Sequence, residues 1–186
     1  MDNNNFDKLQ DIIDSKILNE RKVFLWGQVD DNSAKHVIDR LMYLELIEPG
    51  KEIQLIINSP GGYVTSGFAI YDTMKSITSP ISTICTGLAA SMGSILLSAG
   101  EKGRRFILPH ARVMIHQPSG GAGGPASDIE IQMNELIKTK QLGAEILAKN
   151  CDKSVEQIMK DFNRDYWMAA EESIEYGIVD CKLDRV

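Results

Sequence analysis

From Ser76 to Gly100 the chain runs for 25 residues without a single charge. Water-facing segments of a globular domain carry Lys, Glu, Asp or Arg, so a stretch this long without them belongs inside the fold. Twelve of its residues are apolar and the other 13 are Ser, Thr, Gly and Pro. A membrane-spanning helix needs about 20 predominantly apolar residues, and Pro80 and Gly87 interrupt this run. The segment is therefore expected to form a strand and a helix buried in a soluble protein. Its Ser and Gly residues belong where backbones pack closely or where chemistry occurs.

The remaining 161 residues of the 186 fit the same picture, since 43% of the chain is hydrophobic and 25% charged. Such a chain suits one domain and buries roughly 70% of its unfolded surface. The net charge of −6, with no Lys/Arg run longer than Arg104-Arg105, excludes a general nucleic-acid surface. Cys85, Cys151 and Cys181 match no zinc spacing and read as ordinary thiols of a reducing compartment. Met1-Asp2-Asn3-Asn4-Asn5 is polar and acidic and does not look like a signal peptide, so the expected location is the cytoplasm. Neither a Walker A pattern nor a His/Cys/carboxylate cluster with metal-ligand spacing is present, and no cofactor or metal is expected.

Strands and helices alternate along the chain. Val23–Trp26, Ile53–Ile57, Ile81–Cys85, Phe106–Leu108 and Val113–Ile115 read as strands. Between them, Val37, Ile38, Leu41, Met42 and Leu44 mark a helix capped by Asn32 or Ser33 and stopped by Glu48-Pro49-Gly50. A second helix carries Phe68, Ala69, Ile70 and Met74, and a third runs from Ser91 to Ala99. After Gly120-Gly121-Ala122-Gly123-Gly124-Pro125 comes a long helix, about 127–150, with Ser127 and Glu130 as a capping box. Ile129, Met133, Leu136, Ile137, Ala144 and Leu147 form its apolar stripe, which is longer than one domain needs and suits a second subunit. Ser154 with Gln157 caps a further helix, and Ala169–Tyr176 forms the last, closed by Gly177. The alternation predicts an α/β fold with a mostly parallel sheet.

Few residues can do acid–base work. His36 lies on the polar side of its helix and His110 in a turn, whereas His116 ends the apolar run Val113-Met114-Ile115 and precedes a glycine-rich loop. A neutral imidazole at a strand end serves equally as a structural residue or a catalytic base. Ser91, in Ala89-Ala90-Ser91-Met92-Gly93, stands between a strand and a helix. It is either a nucleophile on a sharp turn or a helix N-cap in a small-residue seam. Asn58-Ser59-Pro60-Gly61-Gly62 can expose backbone groups to a peptide or an oxyanion, or simply turn the chain. Among 14 aspartates, Asp161 and Asp165 are candidates for a third member because neighbouring apolar residues could bury a carboxylate.

Asn58-Ser59-Pro60-Gly61-Gly62, Ala89-Ala90-Ser91-Met92-Gly93, Arg112-Val113-Met114-Ile115-His116-Gln117-Pro118 and Arg164-Asp165 together resemble the proteolytic subunit of Clp proteases, the ClpP family. The similarity runs from about Val23 to the C-terminus. It implies a ClpP/crotonase-type fold of repeated β-α units in one peptidase domain, 23–186, with the long helix as a projecting handle. It also implies Ser91 as nucleophile, His116 as general base and Asp165 as the residue orienting it. Gly62 and Met92 match the oxyanion-hole positions, and Gly61, Gln117, Pro118, Gly120 and Gly121 match the substrate groove. The assembly implied is a barrel of two stacked heptameric rings that degrades unfolded polypeptides fed by an AAA+ Clp unfoldase.

Two departures stand out. Residues 1–22 form a shortened N-terminal segment where relatives have an apolar stretch making the axial pore loops, and this acidic, Asn-rich segment is expected to be mobile. Gln54 and Ile56 replace aromatic residues that line the ATPase docking pocket in many relatives, which weakens the expected docking. Other functions compatible with the resemblance are a regulatory or structural paralogue that co-assembles with an active ClpP, and a crotonase-type acyl-CoA enzyme.

Overall fold

In the computed structural model, which describes residues 3–184, strands and helices alternate as their apolar spacing requires. Helix α1 (Asn3–Asn19) leads into β1 (Lys22–Trp26), α2 (Asp31–Ile47), β2 (Ile53–Ser59), α3 (Val64–Ser76), β3 (Ile81–Ala90) and α4 (Met92–Ser98). Strands β4 (Arg105–Ile107) and β5 (Arg112–Ile115) follow. Then come α5 (Ala126–Cys151), α6 (Val155–Asp161), β6 (Tyr166–Met168), α7 (Ala170–Tyr176) and β7 (Cys181–Lys182). Among the described residues the strands form one seven-stranded sheet with the order β1-β2-β3-β4-β7, and β5 and β6 branch from β3. Every pairing is parallel except β5 with β6.

Buried and less buried residues alternate along β1, whereas most of β2 and the first half of β3 are buried on both faces. Val23, Leu25, Leu55 and Ile57 are fully buried, and they share a single core with Val37, Leu41 and Leu44 of α2, Ile70 of α3, and Leu96 and Leu97 of α4. The uncharged segment becomes β3 and α4, at the centre of that core.

The branch in the sheet comes from an irregularity in β3. Pairing with β2 runs in step to Ile57↔Cys85 and resumes at Ser59↔Ala89, so β3 bulges outward opposite Asn58. The Leu88 N–H donates to Asn58 Oδ1 at 3.1 Å, which satisfies one backbone group the bulge leaves without a strand partner. A Cβ on Gly87 would stand 2.7 Å from the same oxygen, so any other residue would have to push the Asn58 carboxamide out of this bond. Before the bulge β3 pairs with β4; after it, Leu88–Ala90 pair with β5. The strand expected to end at Cys85 continues through Gly87 to Ala90.

Several further expectations need correction. Asp30, rather than Asn32 or Ser33, caps α2: its carboxylate accepts from the Ser33 N–H at 2.8 Å while Ser33 Oγ accepts from the Asp30 N–H at 2.9 Å. The Ser127/Glu130 capping box does not form, because α5 begins at Ala126 behind Pro125, whose side chain accepts nothing. Ser154 does cap α6, accepting from the Gln157 N–H. Residues 3–19 form helix α1, an element that the Asn-rich composition did not announce; Leu9, Ile12, Ile13, Ile17 and Leu18 recur at helical spacing, and Leu18 packs on the core.

The α5 stripe divides in two. Gly143, Ala144, Leu147, Ala148 and Cys151 are buried, while Ile129, Ile131, Met133, Ile137 and Leu142 are exposed. At 1.5 Å per residue the 26-residue helix is about 39 Å long, and its first half finds little of its own chain to cover it. Among the described residues no helix is long and apolar enough to cross a membrane.

Candidate active site

The branched sheet aligns three chain segments at one end. Beyond the bulge, Ala90 pairs with Met114 in parallel, and the Ser91 N–H donates to the Met114 carbonyl at 2.9 Å. On the other side of β5, Ile115 pairs with Tyr166 in antiparallel register. One step past that pair stand His116 and Asp165. Their side chains meet, with His116 Nδ1 3.0 Å from Asp165 Oδ1. A carboxylate can only accept, so Nδ1 carries the proton and Nε2 is left as an acceptor.

Ser91 forms a sharp turn between β3 and α4, with φ 54° and ψ −123°. A serine at positive φ stores strain on the order of 1–3 kcal/mol, which surrounding bonds must hold. Here the Ser91 carbonyl accepts from the Ser94 N–H at 3.0 Å, from Ser94 Oγ at 2.6 Å and from the Ile95 N–H at 3.3 Å. Ser91 does stand at the N-cap position of α4, but its side chain makes no capping bond, so the plain capping role is not what the residue performs. Ser91 and His116 line one cavity, whose walls include Val64, Phe68, Ile95 and Phe162. Among the described residues no hydrogen bond joins Ser91 Oγ to the imidazole.

Backbone donors surround the serine. Met92 is the first residue of α4, so its N–H has no acceptor within the helix. The turn after β2 contributes another. Val29 bridges to Gly62, with the Val29 N–H donating to the Gly61 carbonyl at 2.9 Å and the Tyr63 N–H donating to the Val29 carbonyl at 2.8 Å. That bridge uses the groups flanking Gly62 and leaves the Gly62 N–H facing away from Val29. Gly62 has φ 156°, and a Cβ there would lie 2.1 Å from the Val29 carbonyl oxygen.

Of the two candidate aspartates, Asp161 lies elsewhere: it accepts from Tyr176 Oη at 2.9 Å and from Gln157 Nε2 at 2.7 Å. Burial does not mark Asp165, whose side chain is 60% exposed, contrary to the expectation of a buried carboxylate. What could have found it is register, since Tyr166–Met168 is a strand that the sequence reading did not identify. His36 and His110 are exposed and remote from the cavity. Pro118, Gly120 and Gly121 line a second cleft between the glycine-rich loop and α5, while Gln117 turns its carboxamide to Asn163.

Gln54 is half-buried and Ile56 buried, on the sheet face shared with Lys22 and Phe24. Burial pushes the thiols of Cys85 and Cys151 up to about 12, so neither is a reactive thiolate. Among the described residues no group of three or more His, Cys, Asp or Glu is placed to hold a metal ion. In a comparison with protein-family models, the model described as Clp protease matches residues 5–185. The match takes in α1 as well as the strands and helices from Val23 onward.

Proposed function

The chain belongs to the Clp protease family, and from that premise we propose that it is the serine endopeptidase subunit of a compartmental protease, with Ser91 as nucleophile, His116 as general base and Asp165 orienting His116. The observation that carries this reading is the His116 Nδ1–Asp165 Oδ1 bond at the mouth of the cavity that Ser91 lines. That bond fixes the tautomer whose free Nε2 can accept the serine proton.

The reaction follows in balanced steps. Ser91 Oγ attacks the carbonyl carbon of a peptide bond as its proton passes to His116 Nε2. Negative charge develops on the carbonyl oxygen, where the N–H groups of Gly62 and Met92 are free to donate; one such donor is typically worth about 10²–10³ in rate. Collapse of the intermediate breaks the C–N bond, and His116 hands its proton to the leaving amine. Water then attacks the acyl ester, His116 takes a proton from it, and Ser91 leaves as the restored hydroxyl. The apolar walls formed by Val64, Phe68, Ile95 and Phe162 favour an apolar side chain next to the scissile bond.

The proposed assembly is a homo-oligomer of two stacked heptameric rings, joined through the exposed apolar half of α5. Its natural feed is unfolded polypeptide in the cytoplasm, delivered by an AAA+ Clp ATPase. Ile56 is only 2% exposed and Gln54 is half-buried, so that part of the sheet offers a docking loop little apolar surface, which supports weak docking. Nothing in the sequence binds ATP by a Walker loop, so unfolding belongs to the partner.

The test is covalent labelling of the purified protein with a fluorophosphonate, followed by mass mapping. Modification of Ser91, lost in His116→Ala, is expected. An unlabelled protein that hydrolyses an acyl-CoA thioester would point to the crotonase-type alternative. An unlabelled protein that gains activity only with a second ClpP would point to a regulatory paralogue.

A further inference from the structure

Asp165 is a weakly held residue for the work the proposed site asks of it. Its side chain is 60% exposed, and among the described residues His116 is its one hydrogen-bond partner. A geometry useful for catalysis has to be held within about 0.5 Å, which an exposed carboxylate on a turn cannot do alone.

The turn is fastened from the other side. Directly after His116, the Gln117 N–H donates to the Phe162 carbonyl at 2.6 Å. The Gln117 carboxamide then reaches across, with Nε2 donating to the Asn163 carbonyl at 2.9 Å and lying 3.5 Å from Asn163 Oδ1. Both main-chain acceptors belong to the segment between α6 and β6, just ahead of Asp165. Strand β6 itself is only three residues long and cannot extend the pairing far enough to fix that segment.

We propose that Gln117 is a positioning residue: the bond from its carboxamide to the Asn163 carbonyl sets the turn that carries Asp165, and through Asp165 the direction of the His116 ring. This rests on the reading of His116 and Asp165 as a catalytic pair. Resemblance alone had placed Gln117 in the substrate groove, which predicts contact with substrate. Its donor is instead directed at the turn, so its effect belongs to the chemical step.

The experiment is steady-state peptide hydrolysis by Gln117→Met, alone and combined with Asp165→Asn. Methionine keeps the length and the backbone bond but cannot donate to Asn163. The expected result is a kcat lower by about tenfold to a hundredfold with KM unchanged, as for a small misplacement of a catalytic group. In the Asp165→Asn background, Gln117→Met should lower kcat no further. If Gln117→Met fails to fold, Gln117→Glu reads the same way, since an ionised carboxylate presents no donor to that carbonyl.

An unchanged kcat, a raised KM with kcat intact, or a loss that adds fully to that of Asp165→Asn would overturn the proposal while leaving the catalytic pair standing. If Asp165→Asn itself leaves kcat intact, the pair is misread, and the role of Gln117 falls with it.

Discussion

Gly61 lies directly against Ser91: a Cβ built on it would stand 2.6 Å from Ser91 Cβ, 2.6 Å from the Ala90 carbonyl oxygen and 2.9 Å from the Met92 nitrogen. At φ +87° the position is also strained for any side chain. Gly61→Ala must therefore push the serine turn and the Met92 N–H away from the turn after β2. The expected outcome is a fall in kcat/KM for peptide hydrolysis of about a hundredfold or more, the size of losing an oxyanion donor. Activity within a few-fold of the parent protein would show that the two turns need not touch.

The exposed half of α5 makes a second prediction. Met133 and Ile137, one turn apart on the same face of α5, are 44% and 60% exposed, which leaves an apolar strip that a partner surface would cover. Met133→Glu combined with Ile137→Glu should break the proposed contact between rings without unfolding the subunit. Light scattering should then give about half the mass of the parent assembly. An unchanged mass would contradict a subunit contact through this face of α5.

Arg105 and Asp180 predict an acid-dependent contribution to stability. Arg105 is buried, its Nε and Nη2 donate to Asp180 at 2.9 and 2.5 Å, and its Nη1 donates to the Asn150 carbonyl at 2.7 Å. Burial pushes the Asp180 carboxyl up, but the hydrogen bonds and charge of Arg105, with the Gly103 N–H, outweigh it and hold the group below the usual carboxylate range. A carboxyl lowered on folding stabilises the protein above its unfolded pKa, about 3.9, and that contribution is lost as pH falls through the folded value. Asp180→Asn leaves Arg105 buried and unpaired, at a cost on the order of 3 kcal/mol near neutral pH. Thermal unfolding followed between pH 7 and 3 should show the gap between parent and variant narrowing below about pH 4. A gap independent of pH would contradict this.

Thiol chemistry gives a simple check on the core. Cys85 and Cys151 are buried and Cys181 is exposed. A maleimide should modify Cys181 in the folded protein and reach the other two only after denaturation. Rapid labelling of Cys85 would mean that the centre of β3 opens readily.

Much of this was legible in the sequence, and the gaps have physical reasons. Apolar runs such as Leu55-Ile56-Ile57 announce buried parallel strands whatever surrounds them, and the helical spacing of Val37, Leu41 and Leu44 is equally direct. Strands β6 and β7 have no such signature. They are three and two residues long, and neighbours already in the sheet impose their extended form. The continuation of β3 through Gly87 depends on Asn58, a residue distant in sequence that supplies a missing acceptor. Ser91 and His116 stood out as candidates from their places at segment ends, but their roles came from the family resemblance alone. Asp165 could not be separated from Asp161 by composition, because its place opposite His116 follows from the register of β5 with the unseen β6. Helix α1 was masked by its Asn-rich start, although Leu9, Ile13 and Ile17 were already spaced four apart.

In the proposed site one hydroxyl performs the chemistry, and Ser91→Ala removes it. The substitution removes a single oxygen from a residue whose side chain caps nothing, so the protein should fold and assemble as before. Losing the nucleophile of a triad costs roughly 10⁶ in kcat. The variant's kcat/KM on a short fluorogenic peptide, measured without any ATPase, should therefore fall below about a thousandth of the parent value, where trace contamination sets the floor. A folded Ser91→Ala protein that retains more than that would contradict the assignment of Ser91 and of the site built around it.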